Sequence, residues 1–251
     1  MRPSLRAAIL ATTTLAVAAP AMAQARATAR RPNNVFVSIS GGVQQAASDI
    51  SDHFSFSKNQ ETEAIDVKYP MKPWTLFDVG GSFRVWKGLA FGAAFSRTSG
   101  NGDADVTASV PHPFFFNQPR SVTGEFDGDR KETAVHVQVK WLVPVSNKML
   151  VTIFGGPSFF KVEQDIVNDF EYSESYPFDT ATFTRAVAAN QSESAIGVNV
   201  GGDVAYYFSP NVGVGGMAQY SGATVEMTLP SGTGDVKAGG FQVGGGIRLR
   251  F

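Results

Sequence analysis

The chain contains no cysteine, so no disulfide staples it, even in an oxidising compartment that would permit one. It has almost no net charge, −1 at pH 7. A basic surface is the main requirement for nucleic-acid binding, and that class of partner is excluded on this ground. Beyond the first two dozen residues no run of 18 or more apolar residues occurs, which excludes a transmembrane helix and leaves only strands as a means of crossing a bilayer.

The N-terminus carries a targeting pattern. Arg2 and Arg6 form a positive start, Ala7 to Ala19 an apolar stretch too short to span a membrane, and Ala21-Met22-Ala23 a small-x-small cleavage site before Gln24. Residues 1–23 are therefore expected to be a signal peptide and 24–33 a short periplasmic segment, with 34–251 forming one all-β domain. No cysteine follows the signal, so no lipoprotein anchor is expected.

What the chain has in abundance is glycine, 26 residues, and apolar residues that recur with period two. Val135, Val137, Val139, Trp141 and Val143 alternate with His136, Gln138 and Lys140. Ile196, Val198, Val200, Val204, Tyr206 and Phe208 alternate with Asn199, Asp203 and smaller residues. Val243, Ile247, Leu249 and Phe251 alternate with Gln242, Arg248 and Arg250. Such segments are strands with one apolar and one polar face. Eight can be placed, near Val35–Val43, Phe77–Val85, Leu89–Phe95, Val135–Val143, Leu150–Phe160, Ile196–Phe208, Val212–Tyr220 and Gly240–Phe251. Pro157 inside the fifth predicts a bulge or a point where regular pairing ends.

Three connections are tight: Trp86-Lys87-Gly88, Pro144 to Lys148, and Ser209-Pro210-Asn211. They alternate with four long ones near 44–73, 98–131, 161–191 and 221–239. An even strand number with short turns at one end and long loops at the other is what an outer-membrane barrel requires. Ile65 to Tyr69 and Val225 to Leu229 still alternate inside the long connections, so these hairpins are expected to be ordered.

Alternation alone also fits a soluble lipocalin-type barrel with its apolar face inside. Two features favour the opposite. The polar faces carry both signs of charge, Asp78, Arg84, His136, Lys140, Asp203, Arg248 and Arg250, which a closed lumen can pair into a network. Trp141, Tyr206 and Phe208, with Trp86 and Phe251 nearby, cluster at the tight-turn end as an aromatic girdle. The chain resembles the small outer-membrane barrels of the OmpA transmembrane-domain, OmpX and OmpW type over nearly its whole length. Gly246, Leu249 and terminal Phe251 match their C-terminal assembly signal, although Gly244 stands where that signal usually has a polar residue. The resemblance implies an eight-stranded antiparallel transmembrane barrel with both termini periplasmic, embedded in outer-membrane lipid and delivered by the barrel-assembly machinery. No wall-binding domain is expected after the barrel.

Chemistry is sparse. His136, the strand histidine, faces inward and has no serine beside it on the outer wall, which a lipid A deacylase-type site would want. Asn101 to Asp105 and Asp127 to Asp129 look like calcium loops, but the twelfth position from Asp103 is Phe114 rather than Glu. No metal or cofactor is expected. Phe114, Phe115 and Phe116 are the oddest feature: three aromatics in a loop either pack on neighbouring loops or form a recognition patch or gate. The leading expectation is a non-enzymatic barrel serving membrane integrity or surface contact. The alternatives are passage of small hydrophobic molecules, which a lateral opening near Pro157 would favour, and a lipid-modifying enzyme.

Overall fold

Period-two alternation dictates extended structure throughout, and the chain obeys it. The computed structural model describes residues 33–46 and 48–251; the expected signal peptide and most of the short segment expected after it lie outside the described residues. Twelve strands follow one another: β1 (Val35–Ala46), β2 (Ile50–Lys58), β3 (Glu61–Tyr69), β4 (Trp74–Trp86), β5 (Leu89–Asn101), β6 (Ala104–Val110), β7 (Arg120–Phe126), β8 (Asp129–Pro144), β9 (Met149–Glu174), β10 (Ala181–Tyr207), β11 (Val212–Leu229) and β12 (Gly232–Arg250). Eight close into an antiparallel barrel in the order β1-β12-β11-β10-β9-β8-β5-β4. All eight expected segments are its walls. Closure joins the chain's two ends: Phe251 N–H donates to the Val35 carbonyl (2.9 Å), and the Phe251 carbonyl accepts from Asn34 and Val35. No barrel edge is left unpaired.

The apolar face points outward. Val135, Val137, Val139 and Trp141 are exposed on β8, while Ala134, His136, Gln138 and Leu142 between them are buried. The same parity holds on every barrel strand, which rules out the lipocalin arrangement. Trp86, Trp141, Tyr206, Phe208 and Phe251 ring the tight-turn end. A second ring, Phe77, Phe95, Phe159, Tyr220 and Phe241, is exposed on the wall further up. On β12 the two rings are ten residues apart, ~33 Å of strand, or ~25 Å of height at a tilt of ~40°.

Above the second ring the strands run on. β9 and β10 stay paired up to Glu174 and Ala181, and β11 and β12 up to Leu229 and Gly232. What sequence patterning placed in long loops is therefore mostly strand. The two hairpins β2-β3 and β6-β7, inserted between barrel strands, join through β3 and β6 into a second, four-stranded sheet. This sheet turns Phe54, Ile65, Val67, Val106 and Val122 against Val162, Ile166, Phe170, Val225 and Met227 of the protruding strands, all buried in one cluster. The long-hairpin end is thus a β-sandwich with its own apolar core, and each such side chain contributes roughly 1.5–3 kcal/mol.

Local devices fit the two layers together. A register shift between Val187 and Ala188 leaves Asn168 as an extra residue on β9, so successive Ile166 and Val167 are both buried. The Val167 N–H, freed from the ladder, donates to Tyr69 Oη at 2.7 Å; burial pushes this phenol's pKa up to about 12. At Gly124 on β7 a Cβ would fall within the Phe183 ring of β10, which is why the second sheet can lie so close. Pro157 causes neither the bulge nor the end of pairing expected of it, only a local lapse. The β8–β9 ladder skips two pairs between His136↔Ser158 and Val139↔Gly155, yet resumes in the same register.

Candidate functional site

Inward-facing side chains from all eight walls fill the lumen in layers. At the top, Arg130 is 1% exposed. It donates to Gln164 Oε1 (2.5 Å), to Glu132 Oε1 (2.7 Å) and to the Lys237 carbonyl (2.9 Å). Glu132 in turn accepts from Gln44 Nε2 (2.8 Å) and from the Gly239 amide (2.9 Å). The Trp74 ring covers the guanidinium at 5.1 Å, in a space kept open by Gly100, where a Cβ would overlap the indole. This buried ion pair was not among the sequence candidates, because β8 was started at Val135. The signal was there: Arg130, Glu132 and Ala134 extend the inward parity of His136.

Below it, His136 bridges Ser96 Oγ (2.9 Å) and Ser158 Oγ (2.7 Å). Histidine and serine do meet, but in the lumen and not on the outer wall. Gln219, Gln242 and Gln44 hydrogen-bond in a row that leads up to Glu132. Asn199 Nδ2 donates to the Gly156 carbonyl (2.9 Å), to the Pro157 carbonyl (3.3 Å) and to Ser158 Oγ (2.8 Å), while Gln138 donates to its Oδ1 (3.1 Å). The stretch where the β8–β9 ladder lapses is thus tied from inside by one amide.

The next layer holds four of the expected charges. Arg248 donates to Asp203 Oδ2 through Nε (2.9 Å) and Nη2 (2.5 Å), and to Ser40 Oγ (2.9 Å). Asp78 and Lys140 join this pair around a cavity of about 50 Å³, room for a few waters. Leu142, Leu150, Ala205, Tyr207 and Phe36 close it below as an apolar floor. Arg84 and Arg250 depart from the expected network. They lie beneath that floor at the tight-turn mouth, Arg84 over the Phe36 ring (5.1 Å) and Arg250 over Tyr207 (3.8 Å), with Arg250 also donating to the Pro210 carbonyl (2.9 Å). Lumen parity alone could not tell a side chain in the interior from one at its rim.

Of the residues expected to form an assembly signal, Gly246 has a structural role, since a Cβ there would collide with the Ile39 carbonyl of β1. Leu249 is half-buried on the wall and Phe251 is exposed in the aromatic ring. The calcium-like stretches are corner turns: Gly102 N–H donates to the Gly128 carbonyl (2.6 Å), and Asp103 pairs with Lys72 (3.2 Å).

The second candidate lies at the far tip. Phe114, Phe115 and Phe116 are 67%, 55% and 66% exposed. They do not pack away, but gather with the β9–β10 turn. Phe114 meets Phe178 edge-on at 5.4 Å, and Tyr176 meets Phe178 at 6.1 Å. The base of this crown is firmly held. Phe114 and Phe115 N–H both donate to Nδ1 of buried His112 (3.1 and 3.2 Å), and Asn117 N–H donates to Glu61 Oε1 (2.7 Å). Arg120 donates to the Pro111 and Phe178 carbonyls (2.9 Å each) and pairs with Glu174 (2.6 Å). Tyr176 and Phe178 were missed because nothing in sequence links residues 176–178 to 114–116.

Charge is sharply divided between the two ends. Of the 22 acidic residues only Asp78 and Asp203 lie below the level of Glu132; the others all belong to the long-hairpin end, against about half as many Lys and Arg. The near-neutral total hides an acidic sandwich.

No curated protein matches the chain in sequence. Among solved structures, the attachment invasion locus protein Ail of Yersinia pestis, solved with the heparin analogue sucrose octasulfate, is similar at 16% identity and TM-score 0.41, over 86% of this chain and 99% of Ail. Neisserial surface protein A is similar at 11% identity and TM-score 0.42, over 86% and 97%. OprG of Pseudomonas aeruginosa is similar at 12% identity and TM-score 0.42, over 87% and 96%. The family model for the outer membrane protein beta-barrel domain matches residues 9–251. The chain belongs to that family, as an eight-stranded antiparallel barrel of the bacterial outer membrane.

Proposed function

We propose that this barrel is a non-enzymatic surface protein whose sandwich stands outside the cell and makes contact there, with both termini on the periplasmic side. The observation that carries this reading is the aromatic crown. An exposed apolar cluster is unfavourable in water, and here it sits on a rigid two-layer stalk over a lumen filled with side chains. The orientation follows the general rule that short turns face the periplasm and long hairpins the exterior. Outer-membrane lipid is the partner of the band between the aromatic rings, and the barrel-assembly machinery the partner of the Phe251 terminus during biogenesis. Ail's heparin analogue is not carried over, because an acidic sandwich repels a polysulfate.

The experiment is adhesion. Cells displaying the protein are compared with cells displaying a variant with Phe114, Phe115, Phe116 and Tyr176 all changed to Ser, on epithelial monolayers, on matrix-coated plastic and on bare hydrophobic plastic. At equal surface display the variant should adhere several-fold less to at least one of them. Equal adhesion to all three would remove the contact reading.

A second reading, passage of small hydrophobic molecules, draws on the lapse of the β8–β9 ladder beside Pro157. For it to operate, Asn199 must let go of the Gly156 and Pro157 carbonyls. Faster uptake of a hydrophobic dye by cells carrying Asn199→Ala than by wild type would favour it.

A further inference from the structure

We infer that the crown is a lipid-insertion tip, whose partner is the neutral, zwitterionic face of a membrane apposed to the cell; this rests on the contact reading above and specifies its target. Three independent features of the tip point to lipid.

The first is composition. From Pro111 to Pro119 there is no Asp, Glu, Lys or Arg, and the facing turn Ser175 to Phe178 has none either. Besides the phenol of Tyr176, the one titratable side chain among them is His112, which is buried. Phenylalanine and tyrosine tips without charge suit the interfacial zone of a bilayer, where aromatic side chains concentrate.

The second is the state of the backbone. A loop entering a low-dielectric layer must bring its own hydrogen-bond partners, because lipid supplies none. Pro111, Pro113, Pro119 and Pro177 have no N–H. The N–H groups of Phe114, Phe115, Asn117 and Phe178 are taken by His112, His112, Glu61 and the Ser175 carbonyl, and Arg120 occupies the Pro111 and Phe178 carbonyls. These partners come from the same loop, from the neighbouring β2–β3 turn and from the facing turn. Solvent exposure would demand none of this.

The third is position and charge. From Phe159 in the upper aromatic ring to Glu174 at the end of β9 is roughly 50 Å of strand, hence at least ~35 Å of height at barrel tilts. The tip therefore projects well away from the bilayer that holds the barrel. Its collar carries Glu61, Glu174 and Asp179 against Arg120 and Lys58, a net acidic balance. An anionic membrane would be repelled, whereas a zwitterionic one would let the rings engage.

The full-length protein in nanodiscs, mixed with protein-free phosphatidylcholine vesicles, tests this by flotation. Wild type should float with the vesicles. Phe114→Ser/Phe115→Ser/Phe116→Ser should lower the bound fraction at least tenfold, and replacing a third of the lipid with phosphatidylglycerol should also lower it. Because the chain has no cysteine, Phe116→Cys carrying an environment-sensitive dye reports insertion directly. Its emission should shift to the blue on vesicle addition, while the same dye on Thr123→Cys, on the outer face of β7, should not respond. Heat-modifiable gel mobility confirms that each variant is folded. Absence of wild-type flotation, equal flotation of the triple variant, a silent dye at position 116, or stronger binding to anionic vesicles each overturns the inference. If the vesicles fail while crown-dependent adhesion to cells persists, the contact reading survives and the partner is a protein or glycan.

Discussion

Two buried carboxylates at the long-hairpin end illustrate how surroundings decide what a residue is worth. Glu132 is fully paired, accepting from Arg130, Gln44 and the Gly239 amide. Glu132→Leu leaves the Arg130 guanidinium charged, buried and short of its main partner, and should cost about 3–5 kcal/mol, read from denaturant unfolding in lipid bilayers. Glu63 is the opposite case: its Oε1 has no hydrogen-bond partner and Lys58 stands 3.9 Å away. Burial pushes the Glu63 pKa above the usual carboxylate value, outweighing the attraction of Lys58. A carboxyl whose pKa rises on folding favours the folded state below its unfolded pKa, near 4.5, and loses that contribution as pH climbs through the folded value. Glu63→Gln should therefore raise the thermal midpoint of the sandwich at pH 7, and the gain should vanish at pH 4. A gain that grows on acidification would show that Lys58 dominates instead.

At the scale of the strand, the test of orientation is a pair of neighbours on β8. Val137 is exposed between the aromatic rings, and Gln138 is buried with its amide on Asn199. Val137→Arg should cost ~2–4 kcal/mol at mid-bilayer depth, whereas Gln138→Leu removes one hydrogen bond and should cost ~1 kcal/mol. Unfolding both variants in bilayers decides it, and the reverse order would mean the wall is turned the other way. Strand placement and face parity were legible in the residues themselves, since a side chain's face in a strand depends only on whether its position is odd or even. Strand ends were not. Val162 and Val225 alternate as cleanly as Val137 or Val214, and alternation is indifferent to whether lipid or a second sheet covers the apolar face. Period alone therefore leaves the upper half of β9 and β10 in a long connection.

At the scale of the molecule, the lumen layers divide the protein into an acidic, apolar-cored sandwich and a band between two aromatic rings, with a plug of buried polar side chains linking them. Eight strands enclose an interior that side chains can fill, and here the Arg130–Glu132, His136 and Arg248–Asp203 layers lie one below another. Purified protein in planar bilayers should therefore show no steady nanosiemens conductance, and a stable pore of that size from a single chain would contradict the filled lumen. The sequence by itself determined the class of fold, the eight walls, the outward apolar face, the division of turns from long hairpins and the odd Phe114 to Phe116, because each is a local property read from period, composition or spacing. Only the tertiary structure decided that the inserted hairpins β2-β3 and β6-β7 join into a roof, that Tyr176 and Phe178 complete the crown, and that Arg84 and Arg250 sit at the mouth while Arg130 and Glu132 occupy the lumen. Those outcomes depend on contacts between residues tens to more than a hundred positions apart, and closing the barrel is what brings them together.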